Sequence, residues 1–583
     1  MTDRNLDRRS FVRAAGVGAL GLGSLSALGC HAPAAGAAGP TPVAGPADAR
    51  DYAAPVPEAF YRGLQFDMPR VPVPVFPDHS VSITDFGAVG DGSELATDAF
   101  AAAIDAVARR GGGRVVVPRG LWLTGPITLR SNVDLHAEAG ALVRFSGDTG
   151  LYPLVETSYE GRPTMRSQSP IQAVRAQNVA ITGRGVFDGS GDSWRPVKRD
   201  KLTESQWKAL VASGGVVDEQ GRIWYPSAQS LRGNRTRPDS LRTRADYEAI
   251  KDSLRPVMLS IRECRGVLLD GPTFQNSPAW CIHPLMSEGL VVRNLTVRNP
   301  WYAQNGDGID LDSVRNAVVY DCAFDVGDDA ICLKSGKDEA GRRRGMPTEN
   351  LLVRRNTVYH AHGGFVVGSE MSGGVRNVDV AELTFIGTDV GMRFKSTRGR
   401  GGVVERIYIR DIDMIDIATE PLRFNLFYGG AAPKPGASEE APAEPVSEGT
   451  PQFRDIHIRD VTCRGAGGAM WIQGLPEMPV RDLHIEGVRI SSTKGATVSQ
   501  IDGLTIRDTE IATGEAPALF LHDARDVELG GVALAVGATT GAAVRVEGAE
   551  TAKVRLRDVT LRGAAELVST GPGVAAGAVA VQG

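Results

Sequence analysis

Val267-Leu268-Leu269-Asp270, Leu290-Val291-Val292-Arg293, Ala317-Val318-Val319-Tyr320 and Leu351-Leu352-Val353-Arg354 are four versions of one short apolar run, and their recurrence decides the fold. The beat continues through Val378-Asp379-Val380-Ala381, Ile407-Tyr408-Ile409-Arg410, Ile456-His457-Ile458-Arg459, Leu483-His484-Ile485-Glu486 and Leu504-Thr505-Ile506-Arg507 to Val527-Glu528-Leu529. Most runs are followed by a second apolar pair, such as Leu295 with Val297 or Val461 with Cys463. The interval, roughly 20–35 residues, is that of one solenoid unit. A single unit cannot bury its own apolar face, whereas stacked neighbours share one continuous core. Long helices do not alternate with the runs, which disfavours a doubly wound α/β fold, and the period is too short for four-stranded propeller blades. The reading is all-β: a single-stranded parallel β-helix over residues 81–583.

Working outward, 70 glycines and 34 prolines among 583 residues suit many turns between short strands. A helix is expected over Asp98–Arg110, capped by Thr97, with Phe100, Ile104 and Val107 on one face and Gly111 at its end. It would cover the open N-terminal end of the solenoid, where unpaired strand edges invite aggregation. Strand-like runs follow at Arg114–Pro118, Ile127–Leu129 and Val133–Leu135. Two segments break the rhythm. Ser190–Arg255 is polar and partly helical and carries Trp194, Trp207, Trp224 and Tyr225; Gly429–Gly449 is Pro/Ala/Glu-rich and reads as a surface loop.

The N-terminus points to export. Arg8-Arg9-Ser10-Phe11-Val12-Arg13 precedes a short apolar run, Ala14–Gly29, that ends at Cys30. A charged region before such a run is an export signal rather than a membrane span, and the paired arginines favour the twin-arginine route. Ala27-Leu28-Gly29-Cys30 looks like a lipoprotein cleavage box, so Cys30 is a candidate lipid anchor; cleavage between Ala32 and Ala38 is the alternative. Residues 1–30 are thus the signal, and residues 31–80 an Ala/Pro/Gly-rich tether and lead-in, with order beginning near Val81. The expected location is periplasmic, or lipid-anchored to the cell envelope. A net charge of −5 does not call for nucleic acid or an anionic membrane as partner. Cys264, Cys281, Cys322, Cys332 and Cys463 match no zinc spacing and read as buried free thiols. A monomer is expected.

Four motifs fall in order on successive passes: Asn305-Gly306-Asp307-Gly308, Gly327-Asp328-Asp329, His362-Gly363-Gly364 and Arg393-Phe394-Lys395. Each alone is ordinary turn chemistry. In order on a solenoid, they gather three carboxylates, one imidazole and two cations, the set needed to cut a glycosidic bond in an acidic polysaccharide. Asp307 sits about one coil before Asp328 and Asp329, which would stack them at roughly 4.8 Å. Three carboxylates that close cannot all ionise freely, so at least one should stay protonated near neutral pH. His362, about one coil on, could hydrogen-bond the acid. Adjacent strand residues face opposite ways, so Asp328 and Asp329 require a bent backbone, which Gly327 would permit.

Arg393 and Lys395 alternate onto one strand face and suit gripping substrate carboxylates, with Arg398 and Arg400 extending the grip. Asn305 and Lys334 complete the candidate substrate-binding residues. Asp310, Asp312, Asp321 and Asp325 read as turn caps, and Arg342-Arg343-Arg344 as a solvated loop. Trp280 and His283 read equally well as a sugar platform or as local packing. No cofactor is expected.

Several stretches resemble the polygalacturonase family of pectin hydrolases, glycoside hydrolase family twenty-eight. They are Asp85-Phe86-Gly87-Ala88-Val89-Gly90-Asp91-Gly92, Asn276-Ser277-Pro278-Ala279-Trp280, Gly327–Gly336, His362–Glu370 and Gly391–Ser396. The match covers roughly Val81 to Met414, with Gly306 where the family motif has threonine. The resemblance implies a right-handed β-helix, inverting hydrolysis of α-galacturonosyl bonds, and no metal. It also implies that Asp328 is the acid and that Asp307 and Asp329 hold the water. The Ser190–Arg255 insertion is large enough to wall off one end of a cleft, which favours exo action. Three alternatives stand beside this reading: a rhamnogalacturonan or xylogalacturonan hydrolase of the same family, a Ca²⁺-dependent pectate lyase, and a non-catalytic carbohydrate-binding β-helix.

Overall fold

A computed structural model describes residues 50–429, 442–537 and 540–582. The export signal, Cys30, the tether up to residue 49 and most of the Gly429–Gly449 loop therefore lie outside the described residues. The recurring apolar runs are strands, and each pairs in parallel with the next run in the sequence. Val267 lies beside Leu290, Leu290 beside Ala317, Ala317 beside Leu351, Leu351 beside Val378 and Val378 beside Ile407. A second ladder runs through Leu259–Arg262, Ile282–Leu285, Ile309–Asp312, Asp329–Lys334, Gly363–Val367 and Met392–Lys395. A third includes Thr273–Gln275, Thr296–Arg298 and Ala323–Asp325. These ladders are the three faces of a right-handed parallel β-helix whose strands join one continuous sheet.

Inward residues alternate with outward ones, as the pleat requires. Val267, Leu269, Leu290 and Val292 enter the central core. Leu268, Val291, Val318 and Leu352 point outward and are nevertheless buried, because Val56, Phe60 and Val71 lie across them. The expectation that order begins near Val81 is therefore corrected: the chain from Val56 onward is packed along the outside of the coil. Covering a side chain such as Phe60 contributes about 1.5–3 kcal/mol. This coat also explains why the first four runs are apolar at the outward position, whereas the later runs carry Asp379, Tyr408 or His457 there. At the corners, Asn316, Asn350 and Asn377 adopt left-handed φ near 56°, 60° and 55°. Asn350 donates to Asn316 at 3.0 Å, and Asn377 to Asn350 at 2.9 Å. Asparagine tolerates this conformation better than most side chains.

The helix at the N-terminal end runs Thr97–Arg109 and buries Phe100, Ile104 and Val107. Thr97 does not cap it. Ala96 holds that position, and the Thr97 hydroxyl instead accepts from Gly125 N–H at 2.7 Å. The insertion contains helices Glu204–Ala212, Ala228–Arg235 and Arg244–Glu248 and a small antiparallel sheet, with Trp207 and Trp224 in a core of its own. An antiparallel hairpin, Leu154–Tyr159 with Arg162–Ser167, is a further departure that the apolar rhythm did not signal. All five cysteines of the described residues are buried and free. Among the described residues no helix is long and apolar enough to cross a membrane.

Candidate active site

Asp307 closes the turn that enters strand Ile309–Asp312, and Asp329 opens the next strand of the same ladder. Ile309 pairs with Ile331, and Gly308 N–H donates to the Asp329 carbonyl at 2.9 Å, so Asp307 and Asp329 are register neighbours. Carboxyl oxygens of Asp307, Asp328 and Asp329 all lie within 4.8 Å of one another. Asp328 precedes the strand, which removes the difficulty of two adjacent residues facing one way. Its carboxylate accepts from Asn305 N–H at 3.2 Å and Asp329 N–H at 3.1 Å. Gly327 is required for a different reason from the one expected. It has no left-handed φ; instead a Cβ there would stand 2.5 Å from the Pro300 carbonyl oxygen and 2.6 Å from that of Ala303. The turn carrying Asp307 is pinned by Asn299, whose amide donates to the Gly306 and Asp307 carbonyls.

Charge separates the three acids. Asp329 is buried, with Lys395 Nζ at 2.6 Å and Arg393 Nη1 at 3.4 Å. Burial alone would raise its pKa, but Lys395 and then Arg393 outweigh it and hold the carboxyl well below the usual carboxylate range. Asp328 moves the other way: burial and the Asp329 charge raise it, partly opposed by Lys395 and His362. Burial, with Asp310 and Asp328 nearby, raises Asp307 further above its ordinary value. The cluster therefore sets Asp329, whose anion is favoured, beside Asp328 and Asp307, in which the protonated form is favoured relative to an ordinary carboxyl. His362 sits alongside, its N–H donating to the Asp328 carbonyl at 2.9 Å and its Nδ1 lying 3.0 Å from Asp389 Oδ2. Arg393 and Lys395 share one face, as their alternation implied, and flank the Tyr428 ring at 5.5 and 5.0 Å.

Beneath the trio lies a second charged layer that was misread in the sequence. Lys334 is buried, 3.0 Å from Glu370 Oε2, 3.5 Å from Asp310 Oδ1 and 4.5 Å from the centre of the Trp280 ring. Its ammonium is taken up by Glu370 and Asp310. Asp310 and Asp312 are strand residues with fully buried side chains, not turn caps. Asp312 is bonded by Arg344 at 2.9 Å and by Gly336 N–H, whereas the Asp310 carboxyl accepts no hydrogen bond. Burial, opposed by Lys334 and aided by Asp329 and Asp328, pushes Asp310 up to about 8. Burial raises Glu370, but Lys334 and Lys395 overcome it and bring the group down to about 2.

Other expectations also need correcting. Arg398 is taken by Glu477 at 2.7 Å and Glu444 at 3.1 Å, and Arg400 by Asp338, so neither guanidinium is free for substrate. The Asn305 side-chain oxygen accepts from Arg255 at 2.9 Å, which ties the end of the insertion to the Asp307 turn. Arg342, Arg343 and Arg344 end a helix, Asp338–Arg344, rather than a loop. Trp280 and His283 are buried and form packing, not a platform. Asp389, Tyr428 and Arg255 went unnoticed in the sequence; Glu370 stood in the quoted run His362–Glu370 without a role. The trio could geometrically admit a cation, but Lys395 and Arg393 already supply positive charge to Asp329.

Fold and site together define a parallel β-helix protein with an acid–base row on one ladder, suited to an acidic glycan. Residues 197–513, more than half the chain, match the model for glycosyl hydrolases family 28, and the chain belongs to that family. It is 33% identical to a hyperthermoactive exopolygalacturonase of Thermotoga maritima, covering 75% of this chain and 93% of that one, with a TM-score of 0.62. It is 28% identical over 436 residues to a probable polygalacturonase of Vitis vinifera, covering 73% and 78% of the two chains. An exo-poly-alpha-D-galacturonosidase of Dickeya chrysanthemi is 26% identical over 458 residues, covering 76% and 72%. Membership of a hydrolase family sets aside the lyase and the non-catalytic alternatives.

Proposed function

We propose that this glycoside hydrolase cleaves α-galacturonosyl bonds of pectin-type galacturonan, with Asp328 as general acid. The observation that carries the reading is the division between neighbours: Asp329 is paired with Lys395 and Arg393, while burial and the Asp329 charge favour the protonated form of Asp328 beside it. Asp328 gives that proton to the leaving glycosidic oxygen. Water, positioned between Asp307 and Asp329, bonds to C1 and surrenders a proton to Asp329. His362 helps Asp328 regain its proton, and Arg393 with Lys395 attracts the substrate carboxylates.

Inversion is part of the proposal. Inverting pairs commonly stand about 6.5–9.5 Å apart and retaining pairs about 5–5.5 Å, so the 4.8 Å limit here favours retention if spacing is the only guide. Inversion rests on the family resemblance, with Asp329 acting on water rather than on C1. Proton NMR of the first-formed anomer tests this: an initial product that keeps the α-configuration excludes inversion.

Exo action is supported by the bulky insertion beside the Asp307 turn and by two relatives named as exo-acting. Export rests on Arg8-Arg9 and the apolar run that follows; cell fractionation of an Arg8→Lys/Arg9→Lys variant checks it. For the activity itself, the purified protein is incubated with polygalacturonate, rhamnogalacturonan and xylogalacturonan in the presence of a chelator. Reducing ends released from polygalacturonate alone support the reading. Preference for another polymer transfers the proposal to that substrate, and unsaturated products defeat it.

A further inference from the structure

The hairpin Leu154–Tyr159/Arg162–Ser167 crosses the ladder that carries the acids. Its base lies on the edge where the Asp307 turn and the insertion also stand. There Leu154 packs against Ile250 and Leu254, and Arg166 Nε donates to the Arg255 carbonyl at 3.0 Å. Its tip reaches the opposite edge, beyond the far end of strand Asp329–Lys334. Lys337 N–H donates to the Gly161 carbonyl at 3.3 Å, Lys337 Nζ lies 3.7 Å from Glu160, and Arg162 pairs with Asp338. Close to the turn, the Tyr159 ring stacks on Trp280 at 4.9 Å, and Arg344 donates to Ser158 Oγ at 3.4 Å. The hairpin is thus fastened at both edges and at the floor.

Behind it lies a small cavity of about 160 Å³, lined by Val155, Tyr159, Arg166, Gln172, Ser260 and Arg262. That is below the roughly 300–1,000 Å³ of typical ligand sites, and a polysaccharide does not pass. On the other side of the acids the same outward row runs on from Arg393 to Arg423 and Trp471, and no second hairpin crosses it among the described residues. Cys281 N–H donates to the Asp307 carbonyl, so Trp280 stands about two coils from Asp328. At about 4.8 Å per coil, the Tyr159–Trp280 contact stands roughly 10 Å from the acid, while the tip is latched to Lys337 and Asp338 just past the Asp329–Lys334 strand.

We propose that this hairpin is the end stop of the substrate groove, so that the enzyme removes single galacturonate residues from a chain end. The inference rests on the galacturonan-hydrolase reading and deepens it. It also reassigns the wall: the Ser190–Arg255 insertion buttresses the hairpin base, and the hairpin itself closes the groove.

The test compares early products on polygalacturonate by anion-exchange chromatography and viscometry. Wild type should release the monosaccharide alone, with viscosity almost unchanged. A variant with residues 157–164 replaced by a two-residue Asn-Gly turn should release mixed oligomers and thin the solution quickly. If that variant does not fold, Glu160→Ala/Arg162→Ala, which only unlatches the tip, should raise the oligomer share several-fold. A wild type that yields dimers or a ladder overturns the end stop while leaving the hydrolase reading intact. Monosaccharide alone from a folded, shortened variant overturns it equally. No cleavage of any galacturonan by wild type overturns both.

Discussion

Lys395 Nζ stands 2.6 Å from Asp329 Oδ2, and both side chains are buried in the face that carries the acid cluster. The pair lies on strands two coils apart in one ladder, with Gly363–Val367 between them. Gly363 leaves the gap they span: a Cβ there would stand 3.1 Å from Asp329 Oδ1.

Lys395→Met should move the acidic limb of the pH–kcat/KM profile upward. Asp329 is depressed in the folded enzyme, so its anion is retained until pH falls below the ordinary carboxylate value of about 3.9. Without Lys395, burial prevails and protonation occurs at higher pH. An unchanged acidic limb in the variant would remove Lys395 from this role.

Asp328→Asn should lower kcat about 10²–10⁴-fold with KM nearly constant, the usual loss for a general acid. Steady-state kinetics on polygalacturonate read both constants. A variant that loses only KM would make Asp328 a binding residue. In wild type the alkaline limb should lie above the ordinary carboxylate range, because the acid must keep its proton and its pKa is raised.

Asp310→Asn should gain thermal stability relative to wild type as pH rises from 5 to 8. The folded pKa of Asp310, about 8, is above the unfolded value of about 3.9. Its favourable proton binding is therefore complete below the unfolded value and is lost as pH rises through the folded one. Asparagine does not titrate. Melting curves at several pH values measure the effect, and a constant difference in Tm would refute it.

Phe424→Ala should cost about 3–5 kcal/mol. Phe394 and Phe424 are buried on neighbouring coils and stack at 4.4 Å, so truncation leaves a cavity that a rigid ladder cannot close. Denaturant unfolding measures it. A cost below about 1 kcal/mol would show that the coil relaxes locally.

Much of this was legible because a β-helix converts sequence interval into distance. Residues one coil apart become neighbours across a strand pair, so the spacing of Asp307, Asp329, Gly363 and Arg393 predicted their meeting. Legibility failed where a partner arrives from outside the ladder. Asp312 looked like a turn residue because its partner Arg344 comes from the helix that follows the next strand. Arg398 looked available because Glu477 comes from a distant coil. Asp389 and Tyr428 carry no motif at all. Thr97 had the right residue type for a cap, but Gly125 N–H claimed its hydroxyl.

The sequence by itself determined the coil and the row of acids and cations, because each follows from a short repeat acting between adjacent turns. Only the tertiary structure decided which carboxyl is ionised, which cations are free, and that a hairpin bars one end of the row. Desolvation and ion pairing depend on every group within a few ångströms, and those groups come from loops whose paths no local periodicity specifies.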